Sequence, residues 1–299
     1  MKQKALLMVF LALQSIAYSK ILNDSIPSGK NFEIASFRLW HPDNIKHIKG
    51  ILVLMPGSNR DGRNEVTDST WQHFALQHGF AIVGCYYKDY NTTDNFIEKY
   101  VKVSDGSGQA LIDVLNKFAI TSDNIELQNA PLILWGHSAG GQFNYEFVCW
   151  KPERVIAFIV NKGGIYYTAM APKEARNVPG VLFTGEKDLE ARNDIIKGLF
   201  SMNRRAGALW IYAQEPKVGH EISLSKIFSI AFFNEIIPLR LSDNGNLNNL
   251  SVAKGLFGDH KNKCIVPFSD LEKIKYPVSW FPTKTIADIW VNFITSKPF

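Results

Sequence analysis

The sequence predicts a three-layer α/β fold, in which a mostly parallel, twisted sheet carries helices on both faces. Two patterns predict it. Short apolar runs of strand length alternate with longer segments of helical periodicity, and several of the runs contain no polar residue. A continuous apolar run suits a strand buried on both faces, and regular alternation of strands and helices is typical of a parallel sheet. The 299 residues suffice for one such domain with a large core.

The amino-terminal part of the predicted sheet contains three strands. A polar stretch, residues 23–31, precedes the first of them. Residues 32–40 alternate between apolar and polar side chains, as in an early antiparallel strand, whereas residues 51–55 are all apolar, as in a strand buried on both faces. The other elements predicted here are a helix at 71–78 closed by Gly79, a strand at 80–87 and an amphipathic helix at 107–118.

The second half repeats the alternation and then continues into a long carboxyl-terminal segment. Its predicted elements are strands at 132–135, 155–160, 181–184 and 209–213 and helices at 142–150 and 195–205. Only residues 161–179 separate the second and third of these strands, so we predict no large central lid. We predict a single domain over residues 20–299, in which residues 221–299 form an extended carboxyl-terminal segment with a helix-like apolar run at 227–237.

The amino terminus has the order of features expected of a signal peptide. Two lysines precede an uninterrupted apolar stretch at residues 5–13, which is too short to span a bilayer. Ala17 and Ser19 are small residues two apart, as a signal peptidase requires, and Ala17 with Ser15 offers a second cut. We predict a signal peptide at residues 1–19, cleavage after Ser19, and a secreted or periplasmic product without a membrane span.

Charge and cysteine content restrict the partners. The formal charge of +5 is mild and no long basic run occurs, so we predict no nucleic-acid partner. Cys85, Cys149 and Cys264 would allow one disulfide in an oxidising compartment, but small apolar core residues are an equal interpretation, and the sequence leaves the choice open. No Cys/His spacing resembles a zinc site, and we predict no metal site.

The pentapeptide Gly136-His137-Ser138-Ala139-Gly140 has the G-x-S-x-G pattern of a nucleophile elbow. A serine hydroxyl needs an adjacent base to become a nucleophile, and the elbow presents it on a tight strand-to-helix turn whose glycines permit close packing. The pattern alone is weak, since roughly one chain in ten of this length would contain it by chance. The predicted strand before it and helix after it supply the required context, so we predict Ser138 as the nucleophile.

The acid and the base should follow Ser138 in that order. Two histidines come later, and His220 lies just beyond the strand at 209–213, whereas His260 lies in a polar loop far downstream, so we favour His220. The turn after the strand at 181–184 contains Asp188, which would fix the histidine tautomer and stabilise the imidazolium. The rival carboxylates in this region are Glu186, Glu190 and Asp194.

Backbone amides are predicted to form the oxyanion hole. One donor should be the N–H of Ala139, the residue after the nucleophile, and the other should come from the loop that follows the strand at 51–55. Ser58 stands at the expected position, with Asn59 as the alternative. Aromatic side chains are predicted to line the cleft, with Trp71, Tyr166 and Tyr167 as the chosen substrate-binding residues and Tyr86, Tyr87, Trp280 and Phe281 as further possibilities.

The chain resembles the α/β-hydrolase superfamily over nearly its whole predicted mature length. It is similar in particular to bacterial secreted esterases of the poly(3-hydroxybutyrate) depolymerase-like and feruloyl-esterase-like types. The resemblance implies a three-layer α/β-hydrolase fold, a Ser138–Asp188–His220 triad and ester hydrolysis without a metal or organic cofactor. The matching stretches are residues 54–57 with Trp71, 79–81, 135–143, 164–168, 185–188 and 219–220.

The sequence therefore predicts a serine esterase acting on a small-molecule or polymer-borne ester. Two departures from the resemblance bear on this hypothesis: Pro56-Gly57 stands where these esterases usually have His-Gly, and no separate polymer-binding module is evident. An acyltransferase with the same triad and a non-catalytic binding protein on the same fold remain alternatives.

Overall fold

A computed structural model describes residues 19–42, 45, 47–90 and 97–296. Within them, eight strands form one sheet in the order β1-β2-β4-β3-β5-β6-β7-β8. The strands β1, β2 and β4 pair antiparallel, and all the other pairs are parallel. The strands are β1 Ser19–Ile26, β2 Ile34–Pro42, β3 Gly50–Met55, β4 Phe80–Lys88, β5 Leu132–Gly136, β6 Val155–Asn161, β7 Gly180–Gly185 and β8 Trp210–Glu215. The mostly parallel sheet confirms the prediction.

Four central strands are buried along their whole length, as their apolar runs predicted. Every residue of β3, β5, β6 and β7 is buried. Strand β1 was not predicted, because its polar stretch gave no apolar pattern; it forms the edge of the sheet, and three of its seven described side chains are exposed. Main-chain hydrogen bonds to β2 hold it in place, over all eight residues. The predicted signal peptide lies outside the described residues, apart from Ser19.

Helices cover both faces of the sheet. They are α1 Ser69–His78, α2 Ser107–Ser122, α3 Ala139–Trp150, α4 Lys173–Arg176, α5 Glu190–Arg205, α6 Ser225–Arg240 and α7 Lys284–Ile294. The apolar sides of α2, α3 and α5 belong to one core cluster, and those of α1, α6 and α7 belong to another. Strand residues contribute to both clusters, alternating along β3. Helix–sheet–helix layering confirms the predicted three-layer architecture.

The carboxyl-terminal segment adds structure that the sequence did not reveal. The apolar run at 227–237 is helix α6, as predicted. Beyond it, three short strands form a second, antiparallel sheet in the order β10-β9-β11, and α7 packs against α6 and β8. The strands are β9 Leu256–Asp259, β10 Cys264–Val266 and β11 Ser279–Phe281. Strands of three or four residues are too short for a periodic pattern to show.

Three further features of the described residues bear on function. Between β6 and β7 the one helix is α4, which has four residues, so no large lid stands there. Cys85, Cys149 and Cys264 are all free thiols, the first buried and the last exposed. No helix in the described ranges is both long and apolar enough to cross a bilayer.

Candidate active site

Ser138 lies at the sharp turn between β5 and α3. Its backbone has φ 54° and ψ −123°, a conformation that costs free energy in any residue with a side chain. The turn is tight because Gly140 packs directly on β3, and a Cβ atom at this position would collide with the carbonyl oxygen of Met55. The elbow therefore fixes the serine at the carboxyl end of the sheet, as the motif predicts.

A continuous chain of hydrogen bonds joins three side chains from separate loops. The Ser138 Oγ lies 2.9 Å from His220 Nε2, and His220 Nδ1 lies 2.8 Å from Asp188 Oδ2. Because a carboxylate only accepts, Nδ1 carries the proton, and Nε2 can accept the proton of the serine hydroxyl. The loops after β5, β7 and β8 supply these side chains in chain order. The structure thus brings together the three residues proposed as catalytic.

The rival residues lie elsewhere. His260 packs between the rings of Tyr212 and Tyr276 beside the second sheet. The Glu186 carboxylate accepts the N–H of Lys217 at 2.6 Å, and so does not contact His220. Asp188 and His220 were favoured in the sequence because each follows a predicted strand. These are also the two residues that the structure brings together with Ser138.

Asp188 has two further partners. Its Oδ1 accepts the Leu189 N–H at 2.8 Å and a hydrogen bond from the Arg192 guanidinium. Burial raises the pKa of this carboxyl, but the hydrogen bonds from His220 and Leu189 and the charges of His220 and Arg192 outweigh it and lower the pKa overall. Asp188 is therefore ionised under ordinary conditions. Sequence reasoning missed Arg192, although its i,i+4 spacing from Asp188 was a signal.

His137, inside the elbow motif, was also missed. Its Nε2 lies 2.6 Å from the backbone carbonyl oxygen of His220, which can only accept, so Nε2 carries a proton. Burial, with the nearby charges of His220, Lys162 and Arg60 in support, lowers the pKa of His137 to about 4. The ring is therefore neutral at pH 7 and ties the nucleophile turn to the loop that carries His220.

The loop after β3 runs beside Ser138. A Cβ atom on Gly57 would lie 3.6 Å from the Cβ of Ser138. The N–H of Asn59 donates to the Tyr100 hydroxyl at 3.3 Å, whereas the N–H of Ser58 has no partner among the described residues. Ala139 begins α3, where an N–H has no acceptor within the helix. The amides of Ser58 and Ala139 are therefore the ones available to an oxyanion, in preference to Asn59.

Comparisons with known proteins bear on the fold. No protein-family model and no curated protein matches the sequence. Solved structures do match, among them a thermostable esterase (15% identity, TM-score 0.51), a ferulic acid esterase (12%, 0.52) and a bacterial heroin esterase (14%, 0.50). The alignments cover 66%, 74% and 71% of this chain and 55%, 96% and 82% of the three structures, respectively. This chain thus spans little more than half of the thermostable esterase. It has the α/β-hydrolase fold.

In an α/β-hydrolase fold the cleft opens at the carboxyl edge of the sheet, and the three aromatic residues predicted to line it differ in accessibility. Tyr167 is 43% exposed, and Tyr166 is half-buried with its ring on Tyr145. Trp71, however, is 1% exposed and packs against Phe74 and Trp135 in the core. The prediction that Trp71 contacts substrate is therefore wrong, because its ring is buried against Phe74 and Trp135 and lies beneath the Lys226 ammonium group.

Proposed function

We propose that this chain is a serine esterase that hydrolyses carboxylic esters through an acyl-enzyme on Ser138. The observation that carries the proposal is the hydrogen-bonded series Ser138–His220–Asp188, held on a strained elbow beside two backbone amides that have no acceptor in the part of the chain that the structure describes. A buried carboxylate orients the histidine and stabilises its charged form once it has taken the serine proton, and the histidine in turn activates the hydroxyl. The known activity of the three similar structures supports an ester as the substrate.

The proposed reaction has two halves, acylation and deacylation of Ser138. His220 Nε2 removes the proton from Ser138 while Oγ attacks the ester carbonyl carbon, and the amides of Ser58 and Ala139 hold the resulting oxyanion. His220 then donates that proton to the departing alcohol. A water molecule, deprotonated by His220, attacks the acyl-enzyme, and the acid is released with Ser138 regenerated. Asp188 stays ionised and stabilises the imidazolium in both halves.

The test compares Ser138→Ala with the unaltered protein on p-nitrophenyl acetate. We expect kcat/KM to fall by at least about 10⁴-fold, because the variant has no nucleophile. A fluorophosphonate probe should label the unaltered protein at Ser138 and leave the variant unlabelled. Equal turnover by both proteins would exclude Ser138 as the nucleophile, and the absence of labelling would favour a non-catalytic binding protein.

The same preparation separates hydrolysis from acyl transfer. With an added alcohol or amine acceptor, an esterase releases mainly free acid, whereas an acyltransferase yields mainly the new ester or amide.

We also propose that the mature chain begins at Lys20 and is exported, on the strength of the amino-terminal pattern. Amino-terminal sequencing of protein from a secreting host, with cell fractionation, tests that proposal.

A further inference from the structure

Lys162 is a fully buried lysine in a strained conformation. It follows β6 directly, is 0% exposed and has φ 56°, the left-handed region that favours glycine. Its Nζ donates to Glu215 Oε2 at 2.8 Å and to the backbone carbonyl oxygen of Glu221 at 2.8 Å. Burial of a charge and a positive φ both cost free energy, so the position of this ammonium group needs a reason.

Glu215 holds the other side of the same loop. It is the last residue of β8 and is 2% exposed, and its Oε1 accepts the N–H of Leu224 at 2.8 Å. The loop at residues 216–224 carries His220, so the carboxylate of Glu215 at its start binds its end. Lys162 binds the same carboxylate and also the carbonyl of the residue that follows His220.

The strand that ends directly before Lys162 also contacts the nucleophile. The carbonyl oxygen of Asn161 accepts the N–H of Ser138 at 2.8 Å. Residues 161 and 162 therefore touch the turn that carries Ser138 and the loop that carries His220, which are otherwise 82 residues apart in sequence. The carboxyl end of β6 therefore holds the Ser138 turn and the His220 loop at a fixed distance, and the hydrogen bond between Ser138 and His220 depends on that distance.

We propose that Lys162 and Glu215 are a positioning pair that fixes the His220 loop against the nucleophile turn. The proposal rests on the proposed function and adds to it two residues that do not touch the reacting atoms. A merely structural pair would support folding alone. A positioning pair also sets the rate of the chemical step, because small displacements of a catalytic base cost much more in rate than in binding.

The test uses the double variant Lys162→Met/Glu215→Gln, which leaves no unpaired buried charge and keeps an acceptor for Leu224. We expect kcat on p-nitrophenyl acetate to fall by about 10- to 100-fold while KM changes by less than about 2-fold, since the ester pocket is untouched. Rates are taken per folded molecule, below the melting temperature of each variant. Glu215→Gln alone is the milder variant, used if the double variant does not fold.

Arg240→Met is the matched control. Arg240 is also a buried cation bonded to main-chain carbonyls, but it lies at the amino end of β6, where it donates to Ile156 and Val155. Its loss should lower the melting temperature and leave kcat and KM unchanged. A folded double variant with unaltered kcat, or a control with the same fall in kcat, would overturn the proposal.

A spectroscopic readout separates this proposal from the proposed function. The proton that His220 Nδ1 donates to Asp188 gives a downfield proton resonance, assigned by its absence in His220→Ala. We expect the double variant to shift or broaden this resonance and Arg240→Met to preserve it. The measurement requires no turnover, so it supports or overturns the positioning role even if no ester is hydrolysed and Ser138 takes no fluorophosphonate label.

Discussion

The parallel strands begin along one side of the sheet, the amino edge, and end along the opposite side, the carboxyl edge. These two sides use their side chains differently. Four of the seven described non-glycine residues with positive φ lie within four residues of the carboxyl end of a strand in the eight-stranded sheet: Asn59, Ser138, Lys162 and Lys217. There, charged and polar side chains bind one another across loops, as Asp188 binds His220. At the amino edge, Arg154 and Arg240 donate mainly to main-chain carbonyls. The carboxyl edge thus combines strained backbone with the hydrogen-bonded series Ser138–His220–Asp188, whereas these two arginines of the amino edge hold main-chain carbonyls in place.

A cavity also lies at the amino edge, away from the candidate active site. The amino edge has a cavity of about 560 Å³, lined by Arg154 and Arg240 together with Glu153 and Glu174, so its charges balance. It contains no nucleophile beside a base. Hydrogen-bond geometry and backbone strain, which costs free energy to maintain, therefore distinguish the candidate active site, and cavity volume does not.

The largest effect expected at the carboxyl edge, after loss of Ser138 itself, comes from Asp188→Asn. The amide has the size of the carboxylate but cannot stabilise the imidazolium or hold the required tautomer of His220, so kcat should fall by about 10⁴-fold. Steady-state kinetics on p-nitrophenyl acetate measures the change. Asp194→Asn, at an exposed rival carboxylate, is the control and should retain full activity. Equal losses in both variants would contradict the assignment of Asp188.

Much of this edge could be predicted from the sequence, because its main parts follow local rules. The elbow is a motif between a strand and a helix, and Asp188 and His220 each follow a buried strand at the expected place in the chain. The central strands could also be predicted, because a strand buried on both faces requires a continuous apolar run such as residues 51–55.

The parts that escaped prediction depend on contacts between distant residues. Lys162 and Glu215 are 53 positions apart, and nothing in either segment alone indicates a pair. His137 looked like the variable residue of a motif, yet it binds the loop of His220. Trp71 was misassigned because the sequence does not show whether an aromatic ring near the site faces the cleft or the core.

The next effect concerns pH and is expected at His137, on the carboxyl edge. The pKa of His137 is about 4 in the folded protein against 6.5 ordinarily, because burial disfavours its charged form. Between these values the unfolded chain binds a proton that the folded protein does not. The contribution of His137 to the free energy of unfolding should therefore be complete above pH 6.5. It should fall by about 3 kcal/mol as the pH drops to 4.

His137→Gln isolates this contribution from the other titrating groups. Glutamine places an N–H donor near the position of Nε2, so the bond to the His220 carbonyl can persist without a titrating ring. Urea unfolding at pH 7 and pH 4.5 measures both proteins. The unaltered protein should lose more stability than the variant on acidification, and two parallel curves would show that His137 does not contribute to the acid sensitivity of this edge.

The smallest effect is expected at the amino edge and tests the other half of the contrast. Arg240→Met leaves the carbonyls of Val155 and Ile156 buried without their donor, which should lower the free energy of unfolding by about 2 kcal/mol. Arg205→Met, at an exposed arginine, should change stability by less than about 0.5 kcal/mol. Denaturant titration measures both, and kcat should be unaltered in each. A fall in kcat with Arg240→Met would mean that strain at the amino end of β6 reaches Ser138, and the two edges would then have to be treated as one coupled unit.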